Sequence, residues 1–123
     1  VNEVVWERIY YYSDSSQLYR ETPYVNGHRH GIEIMYYHDG QLKGKTPYAN
    51  GRRHGIGKFY HINGQLEHET SWVNGCFHGT ARWYDEDGYL EGEILWINGE
   101  HRDDLLGDEH KLTRLVLLGG EYE

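Results

Sequence analysis

The chain has 123 residues, a formal net charge of −8 and a single cysteine, Cys76. One cysteine excludes an internal disulfide framework and fits a reducing compartment, so the expected location is cytoplasmic. No apolar run reaches the length of a membrane-spanning helix and no secretory signal pattern is present, which leaves a chain long enough for one domain.

In chain order, the first strong signal is a large aromatic at every twelfth position: Tyr12, Tyr24, Tyr36, Tyr48, Tyr60, Trp72, Tyr84 and Trp96. A period this strict marks a stacked repeat. The longer step is 24 residues. Asn-Gly stands at 26–27, 50–51, 74–75 and 98–99, and Asp-Gly or Asn-Gly at 39–40, 63–64 and 87–88. The first unit is degenerate, with Ser15-Ser16 in place of the second dipeptide. Such pairs predict two-residue type I′ hairpin turns, because both central positions need positive φ. The segments between them are rich in Tyr, Trp, Ile and Thr, which are strand formers. Alternation predicts that Leu18, Thr22 and Tyr24 share one face, as do Ile32, Ile34 and Tyr36, with Met35, Phe59 and Trp83 forming a second ladder. About eight antiparallel strands in a meander follow from this. His-Gly recurs at 30–31, 54–55 and 78–79. A glycine fixed inside a strand predicts a bulge, and the histidine beside it is expected to bond the backbone of a neighbouring unit.

The pattern Tyr36-Tyr37-x-Asp39-Gly40-x-Leu42, then Tyr48-x-Asn50-Gly51-x-x-His54-Gly55, resembles the MORN repeat, and within it the bacterial variant of YwqK-type antitoxins. The resemblance covers about residues 10 to 102. It implies a curved all-β sheet of stacked hairpins, a non-enzymatic binding role, and no catalytic residues or cofactors. On this reading 1–123 is a single repeat domain, with the array at 10–102 and a C-terminal cap at 103–123. In the cap, Asp108 and Gly119 suit the ends of a short helix, while a last strand is equally open. Leu, Ile, Val and Phe number only 26, so twelve Tyr and four Trp must supply the buried area.

Charge is uneven. Residues 1–84 hold nine Lys/Arg against eight Asp/Glu, and residues 85–123 three against twelve. A basic cluster (Arg29, Lys43, Lys45, Arg52, Arg53, Lys58) thus precedes an acidic one running from Asp85 through Glu93 and Glu100 to Glu109. Such a field steers a complementary partner. The acidic end repels phosphate backbones, which argues against nucleic acid, and membrane binding meets the same difficulty. Nine histidines raise a metal site, but His28, His30 and Glu33 do not recur as a set, and no nucleophile elbow or phosphate loop is present. Glu67 and Glu69 are expected on the face opposite His68. The functional expectation is an antitoxin- or immunity-like binder that docks a basic protein through Trp83, Asp85, Glu86, Asp87, Tyr89 and Glu91. The alternative is a scaffold on anionic membranes using Arg29, Lys43, Lys45, Arg52 and Arg53, and self-association between opposite poles is a third reading.

Overall fold

The computed structural model describes residues 3–101; the predicted cap lies outside them. The described residues form one open antiparallel sheet of β1 (Val4–Tyr11), β2 (Asp14–Val25), β3 (His28–Arg29), β4 (Gly31–Tyr36), β5 (Leu42–Ala49), β6 (Arg52–Arg53), β7 (Gly55–Tyr60), β8 (Leu66–Val73), β9 (Cys76–Phe77), β10 (Gly79–Tyr84), β11 (Leu90–Ile97) and β12 (Glu100–His101). Each long strand pairs with its sequence neighbours, so the sheet is a meander of consecutive hairpins. The two-residue strands β3, β6 and β9 are the first halves of β4, β7 and β10, cut off at the His-Gly step. The expected bulge is therefore a break, with φ of 112°, 114° and 107° at Gly31, Gly55 and Gly79.

The Asn-Gly pairs are the predicted type I′ turns. Asn26, Asn50, Asn74 and Asn98 hold φ between 49° and 52°, and the glycines after them are also positive. The Asp39, Asn63 and Asp87 pairs differ from the expectation. Only Gly40, Gly64 and Gly88 are left-handed there. Gly40 N–H donates to Tyr37 O and Tyr37 N–H to Gln41 O, which makes a wider loop closed by a glycine. The Asx side chain is needed elsewhere: Asp39 Oδ1 accepts Gln41 N–H and Asn63 Oδ1 accepts Gln65 N–H.

Each unit clamps the next through its His-Gly step. Nδ1 of His30, His54 and His78 accepts the N–H of Asn50, Asn74 and Asn98 at 3.1 Å. The following glycine N–H donates to the carbonyl of Arg29, Arg53 or Phe77 at 2.8 Å. The histidines therefore do the backbone work expected of them. At the other edge, the Tyr37 hydroxyl donates to Tyr60 O, and His61 Nε2 lies 2.8 Å from Tyr84 O.

Register corrects the picture of one aromatic ladder. Met35 pairs with Gly44, and Tyr36 with Leu42. Tyr48, four residues beyond Gly44 on β5, therefore faces away from Tyr36. The twelve-residue step alternates faces: Tyr24, Tyr48, Trp72 and Trp96 lie on one, Tyr36, Tyr60 and Tyr84 on the other. The irregularity between Ile9 and Tyr10 likewise places Leu18 opposite Thr22 and Tyr24. Met35, Phe59 and Trp83 do share a face, with Phe59 on His68 at 4.5 Å and His68 on Trp83 at 5.9 Å.

Burial is concentrated on that face. Its middle row is Thr22, Glu33, Thr46, Gly57, Thr70, Ala81 and Ile94, all buried. The rings lean over glycines of the preceding strand: a Cβ on Gly44 would stand 2.5 Å from Phe59, and one on Gly57 2.6 Å from Trp72. Trp72 is only 6% exposed as a result. A sheet with one working layer thus makes its core by laying rings flat along itself.

Candidate interaction surface

The acidic turn joins β10 to β11. Asp85 Oδ1 accepts N–H from both Asp87 and Tyr89 at 2.9 Å. Gly88 N–H bonds Asp85 O, and Asp85 N–H bonds Tyr89 O. Asn63 Nδ2 of the preceding loop donates to Glu86 O. The loop backbone is held on three sides, while the side chains of Glu86, Asp87 and Glu91 are exposed and Tyr89 is 72% exposed. Asp85 is spent on fixing the loop. The equivalent residues Tyr37 and His61 reach forward to the next unit instead. Tyr89 also departs from the array, since the other units carry Gln17, Gln41 and Gln65 at its place.

Trp83 sits apart from this turn. It lies on the buried-ring face, stacked on His68. The structure therefore brings together Asp85, Glu86, Asp87, Tyr89 and Glu91 at one edge and places Trp83 in the ring ladder beside them. Glu93 pairs with Arg82 on the face opposite Trp83 and is buried.

The five basic residues named for a lipid surface are dispersed. Arg29 lies 5.4 Å over the Tyr48 ring and Arg53 5.5 Å over Trp72, on the ring face. Phe77 takes the same place and stacks with Trp96 at 4.9 Å. Arg52 follows the Asn50-Gly51 turn, Lys43 lies over Tyr37 at the opposite edge, and Lys45 stands mid-sheet on the other face.

Sequence reasoning missed a cross-strand charge row on that other face. Directly opposed residues run Arg8, Glu21, Ile34, Lys45, Lys58, Glu69, Arg82, Glu93. Arg8 bonds Glu21 at 3.3 Å, and Arg82 reaches Glu93 at 3.2 Å and Glu69 at 3.6 Å. The 24-residue spacing of Glu21, Glu69 and Glu93 was the available signal. Glu67 was expected to point away from His68. It occupies the bulge opposite Tyr60 and instead comes 3.3 Å from His68 Nδ1 and 3.6 Å from His61 Nδ1. Burial between rings still lowers the His68 pKa below its ordinary 6.5, with Glu67 opposing the shift. Among the described residues, no three His, Cys, Asp or Glu side chains converge as a metal set, and no helix is long and apolar enough to cross a membrane.

A family model for a MORN repeat variant matches residues 29–50, 53–74 and 77–98, more than half of the chain. The chain belongs to the MORN repeat variant family. Each matched MORN unit begins at the residue that stacks on the next ring (Arg29, Arg53 or Phe77) and ends at the Asn of the next turn. The degenerate residues before 29 fall outside the match. MORN repeats serve as protein- and membrane-binding modules. The chain matches no curated protein and no solved structure.

Proposed function

We propose that this MORN protein is a non-enzymatic, antitoxin- or immunity-like binder that covers the functional surface of a basic protein. The observation that carries the reading is the 85–89 turn: an exposed Tyr89 replaces the array's glutamine, beside the exposed carboxylates of Glu86, Asp87 and Glu91, on a backbone that Asp85 holds fixed. A preorganised loop loses little entropy on docking, tyrosine is a favoured anchor, and carboxylates select a basic partner and speed its approach. On this reading Trp83 stays in the ring ladder on His68 and takes no part in the contact, and Asp85 contributes through the backbone.

The test is affinity capture from the source cell with wild-type protein and with a Glu86→Lys, Asp87→Lys, Tyr89→Ala variant. Asp85 is left in place so that the turn survives. The reading expects a basic protein bound at a defined stoichiometry by the wild type and lost in the variant at unchanged melting temperature. Equal capture by both would sink it. Co-sedimentation with anionic vesicles, abolished by neutralising Arg29, Lys43, Lys45, Arg52 and Arg53, would move the assignment to the membrane scaffold; the spread of those five residues over both faces and both edges weighs against that outcome.

A further inference from the structure

One glutamate position of the cross-strand charge row departs from the array. At the 24-residue position filled by Glu21, Glu69 and Glu93, the second unit carries Lys45. Lys45 lies directly opposite Lys58, so a place where the array's own glutamate would form an ion pair holds two facing ammonium groups. Like charges directly opposed across strands destabilise a sheet. Both lysines are exposed, and neither comes within ion-pair distance of a carboxylate among the described residues; Lys58 has Glu69 opposite it on β8, but Glu69 is held by Arg82 at 3.6 Å. On the same face, Ile32 and Ile56 stand 49% and 60% exposed on the strands that carry or adjoin them. The result is a pair of facing cations flanked by uncovered aliphatic side chains, offset within the fold only by Glu69 on the far side of Lys58.

The same chain presents the complement. The 85–89 turn exposes Glu86 and Asp87 next to Tyr89, with Leu90 45% exposed behind it. The geometry points to a second copy as the occupant: the acidic turn of one molecule docks on the Lys45–Lys58 face of the next, carboxylates on ammonium groups and Tyr89 against Ile32 and Ile56. The two surfaces differ, so the contact is heterologous and head-to-tail, and it propagates as an open chain or closes as a ring. It shares the turn with the function proposed above, so self-association and capture of a basic partner exclude one another. The lysine half is independent of that function.

Sedimentation velocity over a concentration and salt series tests this. The expected result is reversible assembly that weakens as salt rises. Lys45→Glu restores the array's own pair with Lys58; it should raise the melting temperature by a few degrees and abolish assembly while leaving partner capture intact. A Glu86→Lys, Asp87→Lys variant should abolish both. Mixing that variant with Lys45→Glu should restore a single junction, the acidic turn of the one on the intact lysine face of the other, and so give heterodimers but no chains; all three changes in one molecule leave no complementary surfaces and should give a monomer. A wild type monomeric at every concentration and salt, or assembly untouched by Lys45→Glu, would overturn the inference. So would a mixture of the two variants that forms no heterodimer at unchanged fold. Vesicle binding lost in Lys45→Glu, with no self-association, would give the lysine pair to lipid and would likewise overturn it.

Discussion

Gly57→Ala measures how this sheet makes its core. Gly57 has ordinary strand geometry, so no backbone strain confuses the change. The added Cβ would stand 2.6 Å from Trp72 Cζ3, 3.1 Å from Cη2 and 3.3 Å from a Phe59 ring carbon. An ordinary contact needs roughly 3.5 Å or more, so the indole must retreat by about 1 Å. It has little room, being 6% exposed, with Phe77 stacked at 5.8 Å and Arg53 over its face. Overpacking of this kind costs about 1–3 kcal/mol. Replacing glycine in a strand returns about 0.5–1 kcal/mol. The net expectation is a loss of roughly 0.5–2 kcal/mol, or about 4 °C of melting temperature per kcal/mol in a domain of this size. Urea denaturation followed by tryptophan fluorescence gives the number. Trp72→Phe in the same background should recover part of it, since a smaller ring clears the methyl, and the double-mutant cycle should show that coupling. A neutral or stabilising Gly57→Ala, or a cycle with no coupling, would refute the idea that rings laid on glycines form the core.

Other outcomes follow from the same contacts. His54→Ala removes the acceptor for Asn74 N–H; the site is exposed and the Gly75–Arg53 bond remains, so chemical denaturation should show a loss of about 0.5–1 kcal/mol, and amide exchange should quicken at the Asn74-Gly75 turn first. His68 has a folded pKa below its ordinary 6.5. The unfolded chain then binds more protons on acidification, so this stability is present above about pH 6.5 and lost as pH falls through the folded value; the melting temperature of wild type should fall relative to that of His68→Phe as pH drops, and Glu67→Gln should steepen the wild-type loss. Ser71→Pro places in the third unit what Pro23 and Pro47 supply in the first two, where each carbonyl accepts the matching histidine N–H at 2.9–3.0 Å; it should stabilise by about 0.4–1 kcal/mol by thermal melting, through the unfolded chain.

The sequence carried the strands, the Asn-Gly turns and the role of His30, His54 and His78, because each depends on local chemistry repeated in register. Positive φ at Asn26 and its equivalents follows from two residues alone. What it did not carry was set by pairing. The bulges opposite Tyr10, Tyr36, Tyr60 and Tyr84 insert one residue each, and that single residue flips Leu18 in the first and turns Glu67 toward His68 in the third. The same accounting separates Tyr48 from Tyr36 despite an unbroken twelve-residue step. Parity along a strand is legible only once register is known. The acidic turn was legible as composition, but not that Asp85 would turn inward while Tyr89 turned outward: a carboxylate cannot donate the forward bond made by Tyr37 and His61, and where it turns instead is set by the loop's own N–H groups.

Departures from a repeat are more informative than the repeat. Positions that hold the array together recur: the clamp histidines, the asparagine turns, the rings. Their recurrence explains them, because a nearest-neighbour architecture needs the same contact at every step. A residue that breaks the period without being compensated by its neighbours has no such explanation. Tyr89 in place of Gln17, Gln41 and Gln65 is one, and Lys45 in place of Glu21, Glu69 and Glu93 is another. Both lie exposed, one opposite a like charge and the other uncovered. A fold selected only for stability would have kept glutamine and glutamate there, as its other units did. If both proposals hold, partner and self-contact compete for one turn, and the charge at residue 45 sets the balance between them: a Lys45→Glu protein should be the more stable fold and the more available binder.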